Sequence, residues 1–289
     1  MLVARVTTIG IVSPGAMGSA LGTAFARGGS HVVATADGRS GRTSRLLAAA
    51  EIDPLPGLEQ VVAAADIVLS VVPPADAPAV AAAVVEVAAN AGVRPLVADL
   101  NAISPATARG LAAWLAEAGL VLVDGSISGP PPRDGSNTRL YLSGARAGEI
   151  FGLAASGVEM RVVGADVGAA SAVKMCTASV YKGQLAVLTQ ALRAASALGV
   201  LETVVDDLGA LAGDGTPAAL ARGAAKAHRY VGEMQEIAAT QASVGLTPAL
   251  FEAMGAVYSE LAGMPAASRA AEEIERDMTL EDALRQLVS

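Results

Sequence analysis

The sequence predicts an α/β domain built on a doubly wound parallel sheet, followed by an all-α domain. In the first half of the chain, apolar runs alternate with alanine-rich helical stretches, and no convincing strand follows residue 166. Alternating strands and helices are typical of a parallel sheet with helices on both faces. The 289 residues fit about two domains, which we place at residues 1–165 and 166–289.

The first domain is predicted from short apolar runs separated by helical stretches. The strands cover residues 3–12, 31–36, 67–72, 96–100 and 120–123, with two more at the edge of the sheet, 139–143 and 160–163. The helices cover residues 16–27, 76–90 and 105–118. Gly28 and Gly29 end the first helix, and Ser104 is the expected N-cap of the third.

The second domain is predicted to be entirely helical. A long helix begins near residue 168, connects the two domains and runs to residue 198, where Gly199 kinks or ends it. Further helices are expected at residues 216–243, 248–261 and 280–287.

Composition and charge exclude several classes of protein. Hydrophobic residues make up 53% of the chain and charged residues 17%, so the chain can build large cores and is not disordered. The net charge of −8 disfavours nucleic acid as a partner, because its binding depends on basic residues. The lone cysteine, Cys176, cannot form an internal disulfide, and we expect it in the core.

The segment between Arg5 and Arg27 carries no charge, as in a secretory signal peptide. Glycines and a proline interrupt it, however, and several of them belong to a loop motif at residues 13–18. No other stretch of the sequence is long and apolar enough for a membrane span. We therefore expect a soluble, cytoplasmic protein.

The loop at residues 13–18 joins the first predicted strand to the first predicted helix. A dinucleotide pyrophosphate binds at such a helix N-terminus, because free N–H groups and the helix dipole favour negative charge. The pattern G-x-G-x-x-G is present with a serine in the first glycine position. The cofactor-binding residues predicted here are Ser13, Pro14, Gly15, Ala16, Met17 and Gly18. An ordinary tight turn is the alternative interpretation.

The residues after the second strand select between the two nicotinamide cofactors. An acidic residue there binds the ribose 2′-hydroxyl of NAD, and an arginine accommodates the 2′-phosphate of NADP. Arg39 and Ser40 favour NADP and Asp37 favours NAD, so we predict NADP (NADPH) rather than NAD. A solvated surface loop is the alternative. Further cofactor contacts are predicted where two later strands end, at Val72, Pro73 and Asn101.

Four segments of the chain carry a family resemblance. The loop has glycine, methionine and glycine at positions 15, 17 and 18; residues 124–129 read D-G-S-I-S-G; residues 168–174 begin with glycine and end with lysine; and residues 99–105 read D-L-N-A-I-S-P. In this order they resemble the β-hydroxyacid dehydrogenase superfamily, which includes 6-phosphogluconate and 3-hydroxyisobutyrate dehydrogenases. The second and third segments resemble its substrate motif D-x-P-V-S-G-G and the start of its catalytic motif G-x-x-x-x-x-K-x-x-N-N. The resemblance covers about the first two thirds of the chain.

The resemblance implies a Rossmann domain, a nicotinamide cofactor and hydride transfer to or from a small β-hydroxy acid or related alcohol. By position in the motifs, it assigns substrate binding to Ser126, Ser128, Gly129 and Thr177. It also implies a homodimer formed through the helical domain, which the abundance of small residues there favours.

The chain departs from the family at several positions. Pro130 replaces the second glycine of the substrate motif and supplies no N–H group. Thr177 and Ala178 replace the two asparagines, and the later K-D motif is absent. These departures resemble a divergent branch whose C-terminal domain has no assigned function. An imine reductase-like enzyme and a non-catalytic nucleotide-binding protein remain as alternatives.

Lys174 is the predicted general acid/base. Oxidation of a C–OH group needs a partner for the hydroxyl proton, and the small apolar neighbours of Lys174 favour a partly desolvated amine that accepts a proton readily. We expect Lys174 to face the cleft between the domains. Tyr181 shares its helix face and is predicted to orient the substrate or relay the proton. A lysine that extends from an apolar helix to solvent is the alternative.

Two features of the remaining polar residues complete the prediction. No cluster of His, Cys or carboxylate residues has the spacing of metal ligands, so no metal is predicted. The predicted helix 216–243 carries a polar face that is either solvated and salt-bridged or part of a site. This face consists of Lys226, Arg229, Glu233, Glu236 and Thr240.

Overall fold

The computed structural model describes residues 6–275 and 277–287, so the start of the first predicted strand, residues 3–5, lies outside the described residues. The chain divides into two compact units, residues 1–175 and 176–289, named here the N-terminal unit and the helical unit. Their boundary falls inside a long helix that begins at Ala169.

The N-terminal unit is built on one mixed sheet. Its strands are β1 Thr8–Ile11, β2 His31–Ala34, β3 Asp53–Pro54, β4 Ile67–Ser70, β5 Leu96–Asp99, β6 Val121–Ser128, β7 Thr138–Ser143 and β8 Val158–Gly164. Within the described residues, the order across the sheet is β3-β2-β1-β4-β5-β6-β7-β8. The predicted fold class, a Rossmann-type doubly wound sheet followed by an all-α region, is confirmed.

The two predicted edge strands are present, and the first of them, β7, pairs with β6 in the antiparallel direction. No helix lies between β6 and β7, and only antiparallel neighbours can be joined without a crossover. The ladder between them also extends β6 to Ser128, five residues beyond the predicted end at Val123. Ser126 and Ser128 therefore lie on the strand itself rather than after it.

The central strands are buried on both faces, which explains their nearly continuous apolar sequences. On β4, Ile67 and Leu69 pack into one hydrophobic cluster and Val68 into another. On β5, Leu96 and Ala98 alternate with a valine in the same way. Helices cover both clusters.

The helices of the N-terminal unit include short ones that the sequence did not predict. They are α1 Ala16–Arg27, α2 Gly41–Ala48, α3 Leu58–Ala64, α4 Ala77–Ala91, α5 Pro105–Glu117 and α6 Ala147–Phe151. The predicted N-cap Ser104 is confirmed, because its side chain accepts a hydrogen bond from the N–H of Thr107. Helix α2 was missed because it is only eight residues long and buries Leu47 alone, so it lacks the long apolar face that marks the other helices in the sequence.

The remaining helices belong mainly to the helical unit. They are α7 Ala169–Ala197, which spans the unit boundary, α8 Leu201–Leu208, α9 Thr216–Ala225, α10 Ala227–Ser243, α11 Ala249–Leu261 and α12 Leu280–Arg285. The single helix predicted over residues 216–243 is wrong, since the chain breaks at Lys226, with φ −109° and ψ 2°. No glycine or proline marks this break in the sequence.

A polar cluster lies inside the helical unit, on α7, α10 and α11. Lys182 forms a buried ion pair with Glu233, and its ammonium nitrogen lies 4.4 Å from the ring centroid of Tyr230. Tyr230 meets Tyr258 edge to face at 5.1 Å, and the Tyr258 hydroxyl donates to the Lys182 carbonyl at 2.7 Å. Burial raises the pKa of both tyrosines. Glu233 and Thr240 are buried, so a solvated face is wrong for these two residues.

The long helix α7 also corrects the expectation for the lone cysteine. Cys176 is exposed on this helix, so its predicted core position is wrong. Although α7 has 29 residues, none of the helices in the described residues is both long and apolar enough to cross a membrane.

Candidate functional site

The predicted site residues of the N-terminal unit gather where its parallel strands end. The register pairs Ile11 of β1 with Leu69 of β4, and Ser70 of β4 with Asp99 of β5. Strand β6 continues past Asp124, the residue that pairs with Asp99. Ligands of open α/β sheets bind outside this carboxyl edge.

The loop at residues 13–18 follows β1 directly and fits a dinucleotide pyrophosphate. A Cβ atom on Gly18 would collide with the carbonyl oxygen of Ser13, so the close approach of helix and loop requires glycine there. A Cβ atom on Gly15 would meet nothing within 4 Å, and Gly15 caps α1 without a side-chain hydrogen bond. The start of α1 therefore faces open space with its first N–H groups uncapped by any side chain, as an anion site requires.

The residues after β2 lie at the start of a second helix. Ser40 is the N-cap of α2, and its hydroxyl accepts a hydrogen bond from the N–H of Thr43 at 3.3 Å. Arg39, Ser40 and Asp37 are exposed, and Arg42 is half-buried. The structure thus brings both predicted phosphate-binding residues to a helix N-terminus, where the dipole also favours an anion.

Asn101 is buried, and its side chain holds the loop after β4. Its amide oxygen accepts from the N–H of Val72 at 2.6 Å, and its amide nitrogen donates to Ser70 Oγ at 2.9 Å and to Asp99 Oδ2 at 2.8 Å. The three predicted residues Val72, Pro73 and Asn101 therefore meet at one place on the carboxyl edge. Asn101 acts there by fixing the backbone that leads into Pro73.

Lys174 reaches the end of β6 from the first turns of α7. Its amine donates to the carbonyl oxygen of Ile127 at 2.7 Å, and the side chain is half-buried. Ser128, the next residue on β6, is half-buried, and Gly129 is exposed with φ +107°, a conformation that favours glycine. Lys174, Ser128 and Gly129 are therefore neighbours at this edge.

The other predicted residues near Lys174 have different environments. Ser126 is 1% exposed, and its hydroxyl donates to the carbonyl oxygen of Ala170 at 2.8 Å. Thr177 is half-buried. Tyr181 belongs to the helical unit and is 70% exposed.

Asp124 has a structural role that the spacing of its sequence motif does not predict. Asp124 is fully buried, and its carboxylate accepts four hydrogen bonds, from Ser143, Gly168 and Ser171. These donors are 19 to 47 residues away along the chain. Within residues 6–275 and 277–287, no three His, Cys, Asp or Glu side chains form a metal-binding group.

An α/β unit with an open glycine loop at the carboxyl edge of its sheet defines a dinucleotide-binding protein. Residues 8–149 match the NAD binding domain of 6-phosphogluconate dehydrogenase, and residues 195–261 match a domain of unknown function (DUF1932). The chain thus carries an NAD-binding domain of the kind found in 6-phosphogluconate dehydrogenase, and the resemblance to the β-hydroxyacid dehydrogenase superfamily is confirmed.

Solved structures with the same fold cover nearly the whole chain. A conserved protein of unknown function, MTH1747, described as similar to 3-hydroxyacid dehydrogenases, is 27% identical over 88% of this chain and 96% of its own, with a TM-score of 0.62. A 3-hydroxyisobutyrate dehydrogenase from Mycobacterium tuberculosis, solved with L-serine, is 19% identical over 99% and 100%, with a TM-score of 0.66. An imine reductase variant from Myxococcus stipitatus in complex with NAD+ is 22% identical over 98% and 99%, with a TM-score of 0.53. Among curated protein sequences, none matches the chain significantly.

Proposed function

We propose that the protein is an NADPH-preferring oxidoreductase that interconverts a small β-hydroxy acid, or a related alcohol, and its carbonyl form. The observation that carries this proposal is the placement of the Lys174 amine, 2.7 Å from the Ile127 carbonyl oxygen at the carboxyl edge of the sheet. This edge also holds the uncapped start of α1. A proton carrier and a dinucleotide loop on one edge are what hydride transfer from a C–OH group requires.

Lys174 would move the hydroxyl proton in this reaction. The nicotinamide, when bound, supplies the hydride acceptor for oxidation and the hydride donor for reduction. In oxidation, the neutral amine of Lys174 would accept the proton of the hydroxyl group while the carbon that bears this group loses its hydride. In reduction, the ammonium would return a proton to the oxygen. The hydrogen bond from the amine to the Ile127 carbonyl oxygen restricts the position of the amine, because one N–H group must point at that oxygen. The same restriction applies to oxidation and to reduction.

The rest of the edge would hold the cofactor and the substrate. The backbone from Ser13 to Gly18 binds the pyrophosphate, and Arg39 with Ser40 binds the 2′-phosphate. Ser128, Gly129 and Thr177 bind the substrate, while the hydroxyl of Ser126 is engaged with α7. In this proposal, residues 1–165 form the NADP-binding domain, and residues 166–289 form the helical substrate and dimerisation domain.

Imine reduction is the second candidate. It is supported by the fold shared with imine reductases and by the replacement of the family's asparagine pair with Thr177 and Ala178. A prochiral imine carbon accepts hydride as a carbonyl carbon does, and Lys174 would then protonate nitrogen instead of oxygen.

The decisive experiment follows NADPH absorbance with panels of hydroxy acids, aldehydes and cyclic imines. We expect turnover of a hydroxy acid or its carbonyl form. Turnover of imines alone would favour the second candidate, and binding of NADPH without turnover of any panel would contradict both.

Substitution of Lys174 then tests the proton carrier on the substrate found. Lys174→Met should lower kcat by about 10²–10⁴, the range for loss of a general acid/base, and leave NADPH affinity nearly constant. Lys174→Arg is the matched control for charge: because arginine stays protonated, we expect a similar loss. A normal kcat in Lys174→Met would place the proton transfer elsewhere, and Tyr181→Phe would be the next variant.

A further inference from the structure

A buried carboxylate that the proposed reaction does not use holds the start of α7 to the sheet. Asp124 lies on β6 with no exposed surface. Its Oδ2 atom accepts hydrogen bonds from the N–H of Gly168 at 2.9 Å, the N–H of Ser171 at 3.0 Å and the hydroxyl of Ser143 at 2.8 Å. Its Oδ1 atom accepts from the hydroxyl of Ser171 at 2.6 Å.

These contacts form a helix cap supplied by another element. Helix α7 begins at Ala169, so the N–H groups of Gly168 and Ser171 are among the first four, which a helix cannot pair internally. The carboxylate satisfies both, and its negative charge faces the positive end of the helix dipole.

Two serines extend the cap around Ala170. The N–H of Ala170 donates to Ser143 Oγ at 3.0 Å, and the carbonyl oxygen of Ala170 accepts from Ser126 at 2.8 Å. We name Asp124, Ser126, Ser143 and Ser171 the helix clamp. All of its members are buried.

The helix clamp lies one turn before the proposed proton carrier. Lys174 follows Ser171 by three residues, a spacing that puts both side chains on one face of α7. Ser171 bonds to Asp124, and Lys174 bonds to the carbonyl of Ile127, three residues further along β6. The same face of the helix is therefore tied to the same strand at two points.

We infer that Asp124 is a positioning residue for Lys174: by fixing the first turn of α7 on β6, it sets where the lysine amine lies. This inference rests on the proposed function, because Lys174 carries a proton only there. A displacement of about 1 Å at a reacting group can lower a rate by about 10²-fold. The helix clamp therefore acts on kcat through Lys174.

Asp124→Asn is the first test. The amide oxygen can replace Oδ2, but the NH₂ group then faces the Ser171 hydroxyl that now donates to Oδ1. The loss of the negative charge also weakens the bonds to the N–H groups of Gly168 and Ser171, so the first turn of α7 is held less tightly. We expect kcat to fall about 10- to 100-fold, with the substrate KM and the NADPH Kd changed little. The pH dependence of kcat should also change, because the proposed proton carrier, Lys174, then lies in a different environment. A loss of folded protein alone would lower kcat without changing its pH dependence.

A double-mutant cycle distinguishes an effect of Asp124 that acts through the position of Lys174 from an effect of Asp124 that does not involve Lys174. In the Lys174→Met background, Asp124→Asn should lower kcat no further, because the group it positions is gone. An equal fold loss in both backgrounds, with Lys174→Met slow by itself, would overturn this inference and leave the proposed function intact. A normal kcat in Lys174→Met would overturn the proposed function and this inference with it.

Ser171→Ala keeps the test available if Asp124→Asn does not fold. It removes the 2.6 Å bond to Oδ1 and leaves the backbone bonds of the clamp in place. We expect a several-fold loss of kcat that again disappears in the Lys174→Met background. Ser179→Ala on the same helix is the matched control, since its hydroxyl donates to the carbonyl of Cys176 within α7. An unchanged kcat in Ser171→Ala would overturn the inference.

Discussion

At the scale of single residues, the choice between NADPH and NADH depends on a few exposed side chains at the end of β2. Arg39→Ala should weaken NADPH binding by about 10- to 100-fold, the worth of one or two charge-assisted hydrogen bonds, and leave NADH binding nearly unchanged. Arg161→Ala is the matched control, because it removes the same charge from an exposed position on β8, at the opposite edge of the sheet from β2. Fluorescence titration with both cofactors gives the four dissociation constants. Equal constants in the unmodified protein would mean that Arg39 and Ser40 do not select NADPH, and a smaller constant for NADH would mean that Asp37 decides the preference.

Ser128 tests whether the end of β6 binds the substrate. Ser128→Ala should raise the substrate KM about tenfold, as expected for loss of a hydrogen bond to a charged group, and leave the NADPH KM unchanged. Ser156→Ala, at an exposed serine near the end of α1, is the control. Steady-state kinetics with each substrate varied in turn separates the two constants. If neither constant changes, Ser128 serves only to end the strand.

At the scale of elements, the helical unit depends on a buried ion pair between two helices. The side chains of Lys182 on α7 and Glu233 on α10 are 14% and 6% exposed. Removing one partner of a buried pair leaves an uncompensated charge, so Glu233→Gln should lower the free energy of unfolding by about 3–5 kcal/mol. Urea unfolding of the full chain measures this difference.

A control for the ion pair distinguishes the effect of an unpaired buried charge from the effect of losing the ion pair itself. The double variant Lys182→Met/Glu233→Leu replaces both charges with apolar groups and should recover most of the lost stability. Glu252→Gln, at an exposed glutamate of α11, should have almost no effect. A Glu233→Gln variant as stable as the unmodified protein would show that Lys182 does not need this partner.

The elements also show where sequence reasoning reaches its limit. Local signals predicted α1, α5 and α7 nearly to the residue, because glycines, a serine cap and apolar periodicity mark them. The same signals missed α2, which buries little, and the break at Lys226, which no glycine or proline marks. The glycine loop was also predicted from local spacing, since Gly15 and Gly18 act through their own backbone.

The helix clamp could not be predicted, because its partners are far apart in sequence. Asp124 and Ser171 are 47 residues apart and meet only through the placement of α7 on the sheet. The burial of Glu233 has the same origin, since it depends on how α7 packs against α10. Tertiary contacts of this kind leave no local periodicity in the sequence.

At the scale of the whole molecule, an exposed apolar face on α7 predicts self-association. Val180 and Val187 are 53% and 59% exposed, and the two valines, seven residues apart, share one side of the helix. Burying each such side chain contributes about 1.5–3 kcal/mol, so a second copy of the chain that covers this face is stabilised. We expect a homodimer, measured as twice the chain mass by light scattering at micromolar concentration.

Val180→Asp/Val187→Asp should shift the protein toward the monomer, because association would then bury two carboxylates. Val162→Asp, at an exposed valine of β8 in the N-terminal unit, should leave the mass unchanged. A monomer mass for the unmodified chain would contradict the dimer, and an unchanged dimer in the double variant would place its interface away from this face.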